Sequence, residues 1–363
     1  MIATRIPFMS LAPADGAAAI RNAMDRVMAS GWFVLGPEVE AFEAEFAHAM
    51  HAPHAVGVGT GTDAIALALR ALGIGPGDEV ITTPLSAAYT ALAVMMTGAR
   101  PVFADIDPVR LTIDPAQIEK AITPRTRAIL PVHLYGQAAD MTSIETLAAK
   151  HNLAIVEDCC QAHLATASGR PVGTIGIAGA FSFYPTKNLG AFGDGGAVVT
   201  RDAALADRIR RLRNGGQTDR YRHETFGVNS RLDEVQAAIL RVRLPRLAGW
   251  TSKRRTLAAA YRAALADAPV EVPKECDAGH VYHLFVVRSQ ARAALQAQLD
   301  ERGIETLIHY PVSIPRQPAL AGTEPADCPV AARVCDEVLS LPLYPHLRDA
   351  DLARIASAIK GEN

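Results

Sequence analysis

Residues 127–158 contain Arg127-Ala-Ile-Leu-Pro-Val132, then the stretch from Met141 to Lys150, then Leu153-Ala-Ile-Val-Glu-Asp158. The two short runs are apolar at successive positions, as strands buried on both faces must be. The stretch between them has helical composition and length. Strand, helix, strand in series predicts a parallel pair with a helical crossover. The same units recur on either side. Upstream, Glu79-Val80-Ile81-Thr82-Thr83 follows the turn Gly75-Pro76-Gly77-Asp78, and Pro101-Val-Phe-Ala104 comes next. Downstream lie Gly179-Ala-Phe-Ser-Phe183, Gly196-Ala-Val-Val-Thr200 and a basic helix from Asp202 to Arg213. Three helices are expected before the first run: Asp15–Ala29, one opened by Pro37 with Val39, Phe42 and Phe46 on one face, and Thr62–Leu72 ended by Gly73. The predicted class is α/β, with a mostly parallel sheet covered by helices.

At 363 residues the chain is longer than one core usually supports. Asp233 to about Ala264 reads as helical, with Pro245 kinking or dividing it. A large domain, 1–245, and a small α+β domain, 246–363, are expected to meet there. The small one contains a strand His280–Arg288, a helix Ser289–Arg302 and a terminal helix Ala350–Lys360.

The net charge of −2 gives no reason to expect nucleic acid or an anionic membrane as partner. No run of 18 apolar residues occurs, and Pro7 and Pro13 interrupt an N-terminus without a long apolar segment, so neither a membrane span nor a signal peptide is read. Five scattered cysteines form no C-x-x-C pair, no metal site is expected, and a reducing cytoplasmic setting fits them.

Six lysines are present, and Lys187 differs from the rest. An apolar strand runs into it through Tyr184-Pro-Thr186, and a glycine-rich loop, Gly190 to Gly196, follows. Burial there would favour a neutral amine or an imine; a surface lysine at a strand end is the plainer alternative. Asp158 ends its run at the carboxyl edge of a parallel strand, where open α/β sheets bind ligands. It is either a helix cap or a partner for a pyridine nitrogen. Gly57-Val-Gly-Thr-Gly-Thr62 opens a helix with small residues, a setting in which backbone N–H groups approach a phosphate. It nearly matches a dinucleotide fingerprint but has Thr62 in the third glycine position. Ser182 is a second phosphate ligand or a satisfied buried serine. Phosphate cradle, acid and apolar lysine together point to pyridoxal 5′-phosphate.

Several stretches carry a family resemblance. They include Gly31-Trp-Phe-Val-Leu-Gly-Pro-Glu38, Glu157-Asp-Cys-Cys-Gln-Ala-His163, Phe181-Ser-Phe-Tyr-Pro-Thr-Lys-Asn-Leu-Gly190 and Gly227-Val-Asn-Ser-Arg231. Over nearly its full length the chain resembles the DegT/DnrJ/EryC1/StrS sugar aminotransferases, which have the type I fold of pyridoxal-phosphate enzymes. The resemblance implies Lys187 as Schiff-base lysine and acid/base, and Asp158 on the pyridine nitrogen. It implies Gln161 near the ring or its phenolic oxygen, and Gly61, Thr62 and Ser182 on the phosphate. Asn229 is implied to reach the phosphate of a second subunit, which makes a homodimer with shared active sites part of the expectation. Tyr184, Arg220, Tyr221, His309 and Tyr310 are implied in the nucleotide-sugar site, and His163 is a further candidate near the cofactor. The implied reaction moves an amino group from L-glutamate to C3 of a dTDP-linked 3-keto-6-deoxyhexose. A UDP- or GDP-linked keto-sugar and a non-catalytic regulatory protein are the alternatives. Two positions depart from the pattern. Ala87 stands where an aromatic ring is expected to stack on the cofactor, with Tyr89 as its possible substitute, and Pro315 stands near the place of an expected second histidine.

Overall fold

The computed structural model describes residues 5–12, 15–320 and 327–362; part of the N-terminal stretch read above, Pro13 included, lies outside them. Strands are numbered here for the two principal sheets. The larger has β1 (His54–Val58), β2 (Glu79–Thr82), β3 (Arg100–Phe103), β4 (Thr126–Leu130), β5 (Ala154–Asp158), β6 (Ala178–Ser182) and β7 (Gly196–Thr200). Their spatial order is β1-β7-β6-β5-β4-β2-β3. Every neighbouring pair is parallel except those made by β7, which runs against both β1 and β6.

The two-residue period of the strands divides the sheet into two cores. On one face Ile81, Ile129, Ile155, Phe181 and Val199 pack with Val39, Phe42 and Phe46 of the helix α2 (Pro37–Ala49). On the other, Val80, Ala128, Val156, Ala180 and Val198 pack with Ile65, Leu67 and Leu69 of α3 (Gly61–Ala71). Phe42 and Phe46 are fully buried and ring-stacked with centroids 5.5 Å apart, so truncating either to alanine should cost about 3–5 kcal/mol. Pro37 starts α2 with a fixed φ. The Glu234 carboxylate accepts the amides of Gly36, Glu38 and Val39, which the helix itself leaves unbonded.

α1 (Ala17–Ser30) packs on the helix Glu234–Arg243 through Ala23, Val27 and Ala238. After that helix, Pro245 lies in a short 3-10 turn, and the helix Leu247–Ala264 follows. Its first turns, at Leu247 and Trp250, belong to the α2-side core. Its later residues Leu257, Ala258 and Tyr261 belong to a separate core with β8 (Phe285–Arg288), β9 (Val338–Leu341) and the helix Asp349–Lys360. Ile6 joins that separate core as well. Among the described residues no helix is long and apolar enough to cross a membrane.

Three expectations need correction. The strand predicted over His280–Arg288 begins only at Phe285. Before it, the Tyr282 amide donates to His280 Nδ1, and Tyr282 has φ 46, which breaks an extended chain. The glycine-rich stretch from Gly57 does not open the helix directly, since Gly57 and Val58 still belong to β1 and α3 begins at Gly61. The set of expected strands is also short by two, β9 and the antiparallel edge strand β1.

Candidate active site

The carboxyl ends of β1, β5 and β6 gather the site. β1 leads through Gly59 and Thr60 into α3. The Thr60 hydroxyl accepts the Asp63 amide at 3.0 Å, and its carbonyl accepts that of Ala64. Among the described residues the amides of Gly61 and Thr62 carry no hydrogen bond, so two donors remain at the positive end of the helix. Close packing here depends on missing side chains. A Cβ on Gly61 would lie 2.7 Å from both Cys160 Sγ and Ser182 Cβ, and one on Gly196 would lie 2.3 Å from the Thr60 carbonyl oxygen. Ser182 therefore abuts the start of α3, and its hydroxyl accepts the Tyr184 amide at 3.3 Å. Ser230 fixes the turn by accepting the Gly59 amide and donating to Asp63, both at 2.9 Å.

Asp158 is buried at the end of β5. Its Oδ2 accepts from Thr90 Oγ1 at 2.8 Å and its Oδ1 from the Cys160 amide at 3.1 Å. Gln161 is also buried; its Oε1 accepts the Tyr135 amide at 2.7 Å and its Nε2 donates to the Tyr310 hydroxyl at 3.0 Å. Lys187 follows β6. The residue as a whole is half-buried, but its amine lies deep enough that desolvation holds its pKa below the ordinary lysine value, against the raising influence of Cys160 and Asp158.

Three histidines lie within electrostatic reach of the amine. His163 is fully buried against Phe46, Phe181 and Phe183, and neither ring nitrogen has a hydrogen-bond partner. Burial, then the charge of Lys187, pushes its pKa down to about 3. His309 is pushed down to about 4 for the same two reasons, and its Nδ1 meets Ser340 Oγ at 2.9 Å. His283, lowered further by burial and then by Lys187, has its Nδ1 3.2 Å from Asn188 Oδ1. A neutral ring beside the amine is consistent in every case with a site that disfavours added positive charge.

Glu157, beside Asp158, serves the fold. It is fully buried, and its oxygens meet His133 Nε2 and the amides of Gly173, Ile175 and Gly176 at 2.7–3.0 Å. His133 Nδ1 accepts the Ala139 amide, so Nε2 is the nitrogen that donates. Cys159 lies close enough to complete a metal-like trio with these two residues, but the carboxylate is already saturated by N–H donors.

The structure therefore joins Gly61, Thr62, Asp158, Gln161, Ser182, Lys187, His309 and Tyr310 around one edge of the sheet. Of the others, Tyr184 meets this group through its amide, on Ser182, while Arg220, Tyr221 and Asn229 lie on exposed segments. Tyr184 is half exposed. Arg220 and Tyr221 lie on an exposed hairpin and contact each other, with the guanidinium 5.2 Å from the ring centroid. Asn229 is exposed and pairs with Asn214. Tyr89, the possible substitute for the ring expected at Ala87, lies on a different side of its helix from Thr90. It is 65% exposed at the start of α4 (Tyr89–Met95), whereas Thr90, rotated about 100° around that helix, reaches Asp158. Thr90 and Ser230 had not been singled out, because a hydroxyl that acts across the fold leaves no local pattern.

An open sheet with β7 reversed, carrying an amine and an acid on adjacent strand ends, defines the type I fold of pyridoxal-phosphate-dependent transferases. Within that class the chain belongs to the DegT/DnrJ/EryC1/StrS aminotransferase family, which it matches over residues 14–360. It is 51% identical to dTDP-3-amino-3,4,6-trideoxy-alpha-D-glucose transaminase of Streptomyces venezuelae, over 98% of this chain and 96% of the relative. It is 47% identical to UDP-N-acetyl-3-dehydro-alpha-D-glucosamine 3-aminotransferase of Acidithiobacillus ferrooxidans, over 94% of this chain and 93% of that one. The solved structure of S. venezuelae DesV in complex with a ketimine intermediate superposes with a TM-score of 0.96 at 50% identity, covering 98% of each chain.

Proposed function

We propose that this protein is a pyridoxal-5′-phosphate-dependent aminotransferase that moves an amino group from L-glutamate to C3 of a dTDP-linked 3-keto-6-deoxyhexose. The observation that carries the reading is the desolvated amine of Lys187 beside the buried, doubly hydrogen-bonded Asp158. The cofactor fits the residues present. The unbonded amides of Gly61 and Thr62, with Ser182, suit its phosphate, and the cradle exists only because Gly61 and Gly196 have no Cβ. When bound, pyridoxal phosphate supplies an electron sink that lets an amino group pass between an amino acid and a ketone.

In this reading Lys187 holds the cofactor at rest and its Nζ, once free, carries the proton from the amino-acid Cα. Its lowered pKa keeps part of the amine neutral for that task. Asp158, held in place by Thr90, pairs with the pyridine nitrogen and keeps it protonated. Gln161, positioned by the Tyr135 amide and Tyr310, faces the ring. Tyr184, Arg220, Tyr221, His309 and Tyr310 are assigned to the sugar nucleotide. A homodimer belongs to the reading: Trp32 and Phe33 are more than half exposed, and Asn229 would act on the phosphate in the partner's site.

A purified sample should show near-visible cofactor absorbance that L-glutamate bleaches and a keto-sugar nucleotide restores. The dTDP sugar is favoured by the 51% identical relative, and a UDP-linked 3-keto sugar is the second reading because of the 47% identical one. A panel of dTDP- and UDP-linked keto sugars separates them. Failure of glutamate to bleach the absorbance would refute the assignment.

A further inference from the structure

A cavity of about 60 Å³ lies where the Lys187 loop, the N-terminal residues Met9–Ala12 and the helix Leu247–Ala264 meet. Arg243 and Arg254 both line it, together with Trp250, Lys187 and Asp15. The guanidinium of Arg243 lies 5.0 Å from the Trp250 ring centroid and 6.0 Å from that of Phe192. Its Nε is buried without a partner, and among the described residues its guanidinium makes no hydrogen bond or ion pair. Arg254 is buried too. Its Nη1 donates to the carbonyl oxygens of Tyr282, His283 and Leu343 at 2.9–3.3 Å, but its Nε is unpartnered and among the described residues no carboxylate meets it. Asp15, the one carboxylate among the lining residues, is engaged by Trp250 Nε1 at 3.2 Å and by His346 Nε2 at 3.3 Å.

A partly desolvated guanidinium with no acceptor is unfavourable, and it is relieved by an anion in its own plane. Stacking on an aromatic ring leaves its N–H edge available for a bidentate carboxylate or phosphate. The cavity is several times the roughly 10–15 Å³ that admits one water, which leaves room for a carboxylate, and the aminotransferase reading supplies one in the amino-acid donor. Lys187 and its neighbours Pro185, Thr186 and Asn188 line it, so the cavity adjoins the loop that carries the reacting amine.

We propose that Arg243 receives a carboxylate of the amino-acid donor in this cavity, and so determines which amino donor the enzyme accepts. The inference rests on the aminotransferase reading above. Arg254, fixed by three carbonyls, lines the same cavity and adds positive potential to it.

Arg243→Gln and Arg243→Lys holoenzymes test it, with Arg243→Met, which keeps the stem against Trp250, as a further variant should the amide fail to fold. Binding of 2-oxoglutarate is measured by calorimetry, and KM is measured separately for L-glutamate and for the keto-sugar nucleotide. Loss of a charge-assisted pair should weaken 2-oxoglutarate binding and raise the glutamate KM by about 10- to 100-fold in Arg243→Gln and Arg243→Met. The lysine variant should recover part of the loss, and the sugar-nucleotide KM should move less than about twofold. Unchanged 2-oxoglutarate binding, or a loss confined to the sugar nucleotide, overturns the assignment while leaving the aminotransferase reading intact. A wild-type enzyme that does not respond to glutamate at all overturns both.

Discussion

Thr90 Oγ1 donates to Asp158 Oδ2 at 2.8 Å, linking the first turn of α4 to the end of β5 across 68 positions of sequence. Ser86 Oγ lies 3.3 Å from the same hydroxyl, so the Asp158 carboxylate is oriented by a short relay. Thr90→Val keeps the shape but removes the donor, leaving a buried acceptor one partner short. The expected cost is about 1–3 kcal/mol, with a lower kcat, and Thr90→Ser should restore both. Thermal unfolding and steady-state rates of the two variants check this.

Lys187→Ala should remove the near-visible absorbance of bound pyridoxal phosphate and slow transamination by at least about a hundredfold, the low end for losing a positioned proton-transfer group. Spectra and single-turnover rates measure the two effects. A variant that turned over like the wild type would place the chemistry elsewhere.

Gly61→Ala forces a methyl against Cys160 and Ser182, whose atoms lie 2.7 Å from its ideal position. Neither neighbour is the free end of a flexible chain, so Ser182 or the start of α3 must shift. Cofactor affinity should fall about tenfold or more, measured by titrating the apoenzyme with pyridoxal phosphate, while the unfolding temperature of the apoenzyme changes less than that of the holoenzyme.

Glu157→Gln replaces one carboxylate oxygen with an NH2 group among four N–H donors. Two donors then face each other in a fully buried setting. The variant should lose about 2–4 kcal/mol and unfold at lower denaturant. Unaltered stability would show that the turn Gly173–Gly176 does not depend on this carboxylate.

Acid should destabilise the fold through its buried histidines. His163 and His280 have pKa values pushed down to about 3, mainly by burial, against an ordinary value near 6.5. Between those limits the unfolded chain binds more protons than the folded one, so stability rises with pH. The contribution is fully present above about pH 6.5. It should decline as the pH falls toward 3, by up to about 1.4 kcal/mol per pH unit for each histidine. Urea unfolding at pH 7 and pH 5 measures the slope, and His163→Phe should reduce it.

Much of the fold was legible because its signals are local. Apolar runs bounded by turns marked β2 to β7, and Pro37 and Gly73 punctuated α2 and α3 to within a residue or two. Fully buried strands need apolar side chains on both faces whatever their neighbours are, and Phe42 and Phe46 needed only helical spacing to show a buried stripe. β1 was lost because Gly57 near its end and Gly59 just after it resemble a phosphate loop. Its strand character comes from pairing with β7 in the register Val58↔Gly196. The segment from His280 failed for the opposite reason. Val281, Leu284 and their neighbours look like a strand, yet the first half is turned by Tyr282 so that His283 meets Asn188 beside the amine.

By itself the sequence pointed to the type I architecture and the family, and it set Lys187 and Asp158 at strand ends, since strand-end position and motif are properties of adjacent residues. Only the tertiary structure decided what those groups experience. The desolvation of Lys187, the hydroxyl held against Asp158, the unpartnered ring of His163 and the unpaired guanidinium of Arg243 each arise between segments far apart in the chain. Dielectric environment and hydrogen-bond satisfaction are set by what packs around a group, and no local pattern of residues encodes that.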